Sequence, residues 1–279
     1  MKNIMWYVFI ALFFLLPSCA VLQSDKTDKK SSTTKVLQVD VIADNLPNVD
    51  NIYLSEEGVL YATLEHSAGR GELIRIINAK TERLLTQLNR PDGLVGKGRY
   101  LFLTEEVMAG RIIRYNLDTK EFTIISTEVK NPEGIDIINN GDLIVSEDIH
   151  DGRLLRIDKN GGLHVLLEAL PRPEGLCVDN DGKIFVALTA RGQIISYQKG
   201  LRQVVLKGLD KPDQIECAAD GSLWITEDDK SGRLLRLHKG VLQTIKSGLS
   251  FPQGIAFHKD GSVYVAEQGK SRILRLSWH

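Results

Sequence analysis

"PQGIAFHKDGSVYVAEQGKSRILRL", residues 252–276, decides the fold. A proline and a glycine open it, an apolar run follows, Lys259-Asp260-Gly261 makes a turn, "SVYVAE" alternates as a second strand and "SRILRL" as a third. The pattern returns along the chain. Prolines at 47, 91, 132, 173, 212 and 252 each open a similar segment, at spacings of 44, 41, 41, 39 and 40 residues. Other units add a fourth strand, as "LHVLLEAL" does at 163–170. Four antiparallel strands in about 40 residues is the period of a propeller blade. The spacing therefore predicts an all-β fold, a six-bladed β-propeller of four-stranded blades over residues 36–279. The last unit stops after its third strand, while "VLQVDVIADNL" at 36–46 is a strand without a blade. The N-terminal strand is expected to complete blade 6, which pairs both edges and closes the ring.

The remainder of the chain is set apart by composition. Among 279 residues, 43% are hydrophobic, ample for a core, and 35 basic residues nearly balance 36 acidic ones. No basic run interrupts them, so nucleic acid is not an expected partner. The first twenty residues, "MKNIMWYVFIALFFLLPSCA", place Lys2 before an apolar run from Ile4 to Leu16, the pattern of a secretory signal and too short to span a bilayer comfortably. Their end, Leu16-Pro17-Ser18-Cys19, resembles the lipobox of bacterial lipoproteins, which implies a signal peptide over 1–19 and a lipid on Cys19. Residues 20–35 read as a flexible tether, since 23–35 carry no apolar side chain to bury. Export and attachment to a bacterial membrane, facing the periplasm or cell surface, are the resulting expectation, with membrane contact only through that anchor. Cys177 and Cys217 remain in the globular part, on apparent strands among apolar neighbours. They read as small buried side chains rather than a disulfide framework.

In each blade the loop entering the first strand and the loop leaving the second lie on one face, because adjacent strands are antiparallel. An inner set of residues follows the prolines: Asn48, Asp92, Glu133, Glu174, Asp213 and Gln253. An outer set ends the second strands: Leu64, Glu105, Glu147, Leu188, Glu227 and Glu267. The third strands begin with Glu72, Arg111, Arg153, Gln193, Arg233 and Arg272, so the four blades with an outer glutamate also carry an arginine. Paired presence and absence predicts a Glu–Arg bridge inside each of those blades, a scaffold role. The inner acids have no such partner in register. Carboxylates gathered at one channel mouth repel, and the remedies are raised pKa values or a bound cation. An all-oxygen set suits Ca²⁺ or Mg²⁺ better than zinc. A bland alternative is that a short polar residue simply suits the turn.

The repeats resemble NHL repeats and, more broadly, the SMP-30/gluconolactonase/LRE-like six-bladed propellers: 252–276 is similar to an NHL unit, and "PEGLCVDNDGKIFVA" at 173–187 to a strand pair of the gluconolactonase group. That resemblance implies a divalent cation held in the blade-entry turns, with Asn48 at the family's first-blade glutamate, Glu133 at its Pro-Asn-Gly position and Glu174 at its Pro-Asp-Gly position. Each departs from the family residue yet keeps an oxygen. Inner ring and resemblance together give Asn48, Asp92, Glu133, Glu174 and Asp213 as candidate metal ligands, with Glu174 as the base, or Asp213 if the register is shifted by one blade. His66 and His150 are further candidates for acid–base work on the same face, and Asp136 and Glu216, further down their strands, either add charge to the channel or pack between blades. No phosphate loop, nucleophile elbow or His-Glu-x-x-His pair is present. The expectation is a cation-dependent hydrolase of a lactone or related ester, with two rivals: an NHL-type binding module for an envelope ligand, and a metal-assisted lactone lyase.

Overall fold

The structure, a computed structural model, describes residues 36–279, so the expectations for Cys19 and the tether fall outside the described residues. Six four-stranded antiparallel sheets stand in a ring. Blades 1 to 5 occupy residues 49–88, 91–129, 132–170, 173–207 and 212–249. Blade 6 takes three strands from 252–278 and its outermost strand from Leu37–Ala43. This is the expected closure: Leu37 pairs with Trp278, Ala43 with Ile273, and Val36 and His279 exchange backbone hydrogen bonds of 2.8 and 3.1 Å.

Burial follows from the stacking of blades. Second strands such as Leu143–Glu147 are buried at every position, since a neighbouring blade covers each face. Outermost strands such as Leu163–Leu170 bury their last residue and expose most others. The apolar core is divided into six clusters, each formed across a blade-to-blade seam. Hydrophobic packing is thus complete without filling the axis, and polar groups there displace no core.

The tripeptide that opens each blade meets separate requirements. Pro132 and Pro173 lie against Gly110 and Gly152 at the third-strand starts of the preceding blades, where an added Cβ would sit 2.2 and 2.6 Å from the proline ring. The glycine of the tripeptide passes under the next blade: a Cβ on Gly134 would lie 2.7 Å from the Glu174 carbonyl oxygen. Between these fixed points the acid is aimed at the axis. Its own carbonyl is held from the preceding blade, with Thr63, Thr104 and Ser146 hydroxyls donating to the carbonyls of Asp92, Glu133 and Glu174 at 2.8, 2.9 and 2.6 Å.

The cysteines overturn their sequence reading. Cys177 and Cys217 form a disulfide between the first strands of blades 4 and 5, with Cα atoms 5.6 Å apart. Their separation of 40 residues is one repeat period, which brings them to nearly the same height on facing strands.

Candidate functional site

Strand register defines the ring of acids at the channel mouth. Val49 pairs with Leu64 as Pro91 does with Glu105 and Pro132 with Glu147, so Val49 holds the proline position in blade 1 and Asp50 follows it. Pro47 stands two residues early. Asn48, expected in the ring, is instead exposed, with its amide donating to the Glu65 carbonyl at 3.0 Å. The inner ring is Asp50, Asp92, Glu133, Glu174, Asp213 and Gln253, five carboxyl groups and one amide, all buried. Asp92, Glu133, Glu174 and Asp213 are therefore where the repeat pattern put them.

A second ring lies over the first, one residue beyond each second strand: Glu65, Glu106, Asp148, Thr189, Asp228 and Gln268. One backbone device builds it in every blade. Asn48, Arg90, Asn131, Arg172, Lys211 and Phe251 all adopt left-handed φ of 43–55°. Their carbonyls accept the N–H of the six upper-ring residues at 2.8–3.1 Å. Sequence reasoning stopped one position short of this ring; the same alignment, read one residue on, contains it.

The bridges predicted for the outer set are present. Glu147 accepts from both Nε and Nη2 of Arg153 at 2.6 Å, and its Oε1 also accepts the N–H of Lys130 at 2.9 Å. Glu105–Arg111, Glu227–Arg233 and Glu267–Arg272 repeat the arrangement, each with one loop N–H from Asn89, Asp210 or Ser250. These carboxylates brace loops and do not face the mouth. His66 and His150 are likewise absent from the mouth lining. Asp136 accepts the N–H of Ile137 and of Val178, each at 2.7 Å, tying blade 3 to blade 4, and burial pushes its carboxyl up to about 6. Burial also raises Glu216 well above the carboxylate range, with Asp136 adding to the effect.

Nine carboxyl groups and two guanidinium groups line the mouth, with Gln253 and Gln268, around a cavity of about 170 Å³ with no apolar side chain. Arg90 bridges Glu65 and Glu106, and Arg172 bridges Asp148 and Glu174. Thr189 donates its hydroxyl to Glu174, and Gln268 donates to Asp50 at 2.9 Å. Gln253 donates to Asp228 at 3.2 Å, whereas the carboxyl groups of Asp92, Glu133 and Asp213 receive no side-chain donor. Asp50 Oδ1 and Asp92 Oδ1 are buried without a hydrogen-bond partner. Desolvation, then mutual repulsion, raises Asp50, Asp92, Glu133 and Asp213 well above the carboxylate range. Glu174 is pushed up to about 8 and Glu106 to about 7, chiefly by burial, with Arg172 and Arg90 pulling the other way.

The donor set fits a hard divalent cation. One oxygen each from Glu133, Glu174 and Asp213 lie within 4.8 Å of one another, and so, as a separate group, do one each from Glu106, Glu133 and Asp148. All are oxygens, two neighbouring buried oxygens have no partner, and the surplus is negative.

No family model and no curated protein matches the chain. Solved structures do. A gluconolactonase of Xanthomonas campestris superposes with a TM-score of 0.74 at 14% identity, covering 87% of this chain and 90% of that one. Virginiamycin B lyase from Staphylococcus aureus follows at TM-score 0.64 and 16% identity, covering 87% and 99%. An auxiliary nutrient binding protein from Bacteroides thetaiotaomicron has TM-score 0.72 at 10% identity, covering 88% and 77%. At these identities the likeness is one of fold, and the structures that share it include the gluconolactonase group whose repeats residues 173–187 resemble.

Proposed function

We propose that the mouth binds a divalent cation, Ca²⁺ before Mg²⁺, and that the protein hydrolyses a lactone or related ester there. The observation that carries this reading is the inner ring: five consecutive blades spend a buried carboxyl group on one axis, at a position where Asp50 Oδ1 and Asp92 Oδ1 have no partner. Such an arrangement costs stability unless a cation answers it. Glu133, Glu174 and Asp213 would hold the ion, and Asp92 lines the same mouth. When bound, it supplies Lewis-acid polarisation of an ester carbonyl.

The chain's own groups account for the proton. Without an ion Glu174 keeps its proton up to about 8, and a bound cation would lower that value into the range where its carboxylate can take a proton from water near neutral pH. Asp213, the alternative base, sits among the acids of blades 4 and 5, and burial with their repulsion raises its carboxyl well above the carboxylate range. Water oxygen bonds to the carbonyl carbon, the ring C–O bond breaks, and the proton held on the base returns to the departing alkoxide oxygen. Arg172, half exposed and paired with Glu174, positions that carboxylate. An all-polar wall suits a substrate rich in hydroxyl groups.

Titration calorimetry with Ca²⁺, Mg²⁺ and Zn²⁺, beside a pH-stat screen of lactones, tests the reading. Saturable binding and acid release, both lost in Glu133→Gln/Glu174→Gln, are expected; no binding by the intact protein sinks it. The product separates the chemistries, since hydrolysis leaves a hydroxy acid and elimination an unsaturated acid that absorbs in the ultraviolet. A binding module remains the second reading, favoured by Glu174 already being engaged by Arg172 and Thr189. It predicts ligand uptake without turnover. Anchoring through Cys19 belongs to the same proposal, and a Cys19→Ala chain should leave the membrane fraction.

A further inference from the structure

The carboxyl oxygens of the mouth fall into two clusters that share one residue. Glu133, Glu174 and Asp213 form the one used above; Glu106, Glu133 and Asp148 form another, between blades 2 and 3, with equally close oxygens. Beside the second cluster lies Asp92, buried, with Oδ1 lacking any hydrogen-bond partner. Asp92 lines the same cavity as Glu106, Glu133 and Asp148. A buried carboxylate oxygen without a donor is costly unless a cation answers it.

We infer that the mouth binds two divalent cations, with Glu133 shared between them: Glu106, Asp148 and Asp92 complete the centre between blades 2 and 3, and Glu174 and Asp213 the centre on blades 4 and 5. This extends the single-cation reading of the same mouth and rests on it. Glu133 is suited to the shared place. It is the one residue common to both oxygen clusters, and no arginine bridges it. A carboxylate has two oxygens and can give one to each ion.

The arginines do not remove the need for a second ion. Arg90 holds Glu106 and Arg172 holds Asp148, yet each carboxylate presents about four lone-pair positions and can serve a guanidinium and a cation together. Nine carboxyl groups outnumber two guanidinium groups, so carboxyl oxygens uncommitted to arginine remain for a second ion. The cavity of about 170 Å³ has space for two ions and several of their waters, at about 30 Å³ per water.

Metal content of the full chain, purified in detergent and equilibrated with Ca²⁺ or Mn²⁺, decides the matter. Two ions per chain are expected, falling to one in Glu106→Gln/Asp148→Asn and to one in Glu174→Gln/Asp213→Asn, with both sites weakened at least tenfold in Glu133→Gln. Electron paramagnetic resonance of the unmutated chain with Mn²⁺ needs no variant to fold, and should show the exchange-coupled spectrum of a bridged pair. One ion per chain with an uncoupled spectrum overturns the pair and leaves the single-cation reading standing. Two ions that survive Glu106→Gln/Asp148→Asn overturn the assignment of the second centre. No ion at all overturns both readings.

Discussion

Glu174 shows what the mouth asks of a single side chain. In the unfolded chain a glutamate loses its proton near pH 4; in the ring Glu174 keeps it up to about 8 and Glu106 up to about 7. Between those limits the folded state binds more protons than the unfolded one, so stability falls as pH rises from about 5 through 8. Denaturation in EDTA at pH 6 and pH 9 should differ by a few kcal/mol in favour of pH 6, and saturating Ca²⁺ should remove most of the difference. Glu133→Gln deletes one repelled charge. It should raise the melting temperature by a few degrees in EDTA at pH 8 and lower it relative to the unmutated chain in Ca²⁺, a reversal that a purely structural glutamate would not produce. Asp92, Glu133, Glu174 and Asp213 were legible because they recur after a proline. Asp50 was not, because blade 1 places Val49 where other blades have proline, and only strand register reveals the two-residue offset. Asn48 was misread for the same reason.

Strands and loops are held by devices that repeat with the blades. Glu147 neutralises Arg153 and caps the N–H of Lys130 at once, so removing it strands a guanidinium and a loop donor together. Glu147→Ala is expected to cost about 3–5 kcal/mol by chemical denaturation, with cation affinity changed far less. Blades 1 and 4 supply the natural comparison, having Leu64 opposite Glu72 and Leu188 opposite Gln193. That co-occurrence made the bridges readable from sequence, since each pair is confined to one blade. The disulfide was not readable in that way: its partners lie on different blades, and nothing in their apolar surroundings separates a thiol from half a cystine. Their spacing of one full repeat was the available signal. Replacing both cysteines by serine should lower stability by about 2–4 kcal/mol, read as an earlier denaturation midpoint in oxidising buffer only.

The whole molecule depends on its seam in blade 6. Without Leu37–Ala43 the strand Arg272–Trp278 becomes an open edge and the seam cluster loses Ala43, so a chain lacking residues 36–43 should aggregate rather than form a looser ring. The ring itself was plain from the sequence because six units of similar length can bury their faces only against each other. The upper acids were less plain, since they belong to loops whose direction is set by a left-handed residue that has no fixed identity, being asparagine, arginine, lysine or phenylalanine in different blades. The mutual hydrogen bonds of Val36 and His279 carry one more consequence. Because the two ends of the described chain meet edge to edge, the ring has no privileged starting point. A gene recut at the exposed Lys199-Gly200 hairpin, with His279 joined to Val36 by a short polar linker, would preserve every strand pairing while moving the break to blade 4. Such a permutant should fold to the same mouth, which makes the order of blades along the gene a record of ancestry and not a requirement of the architecture.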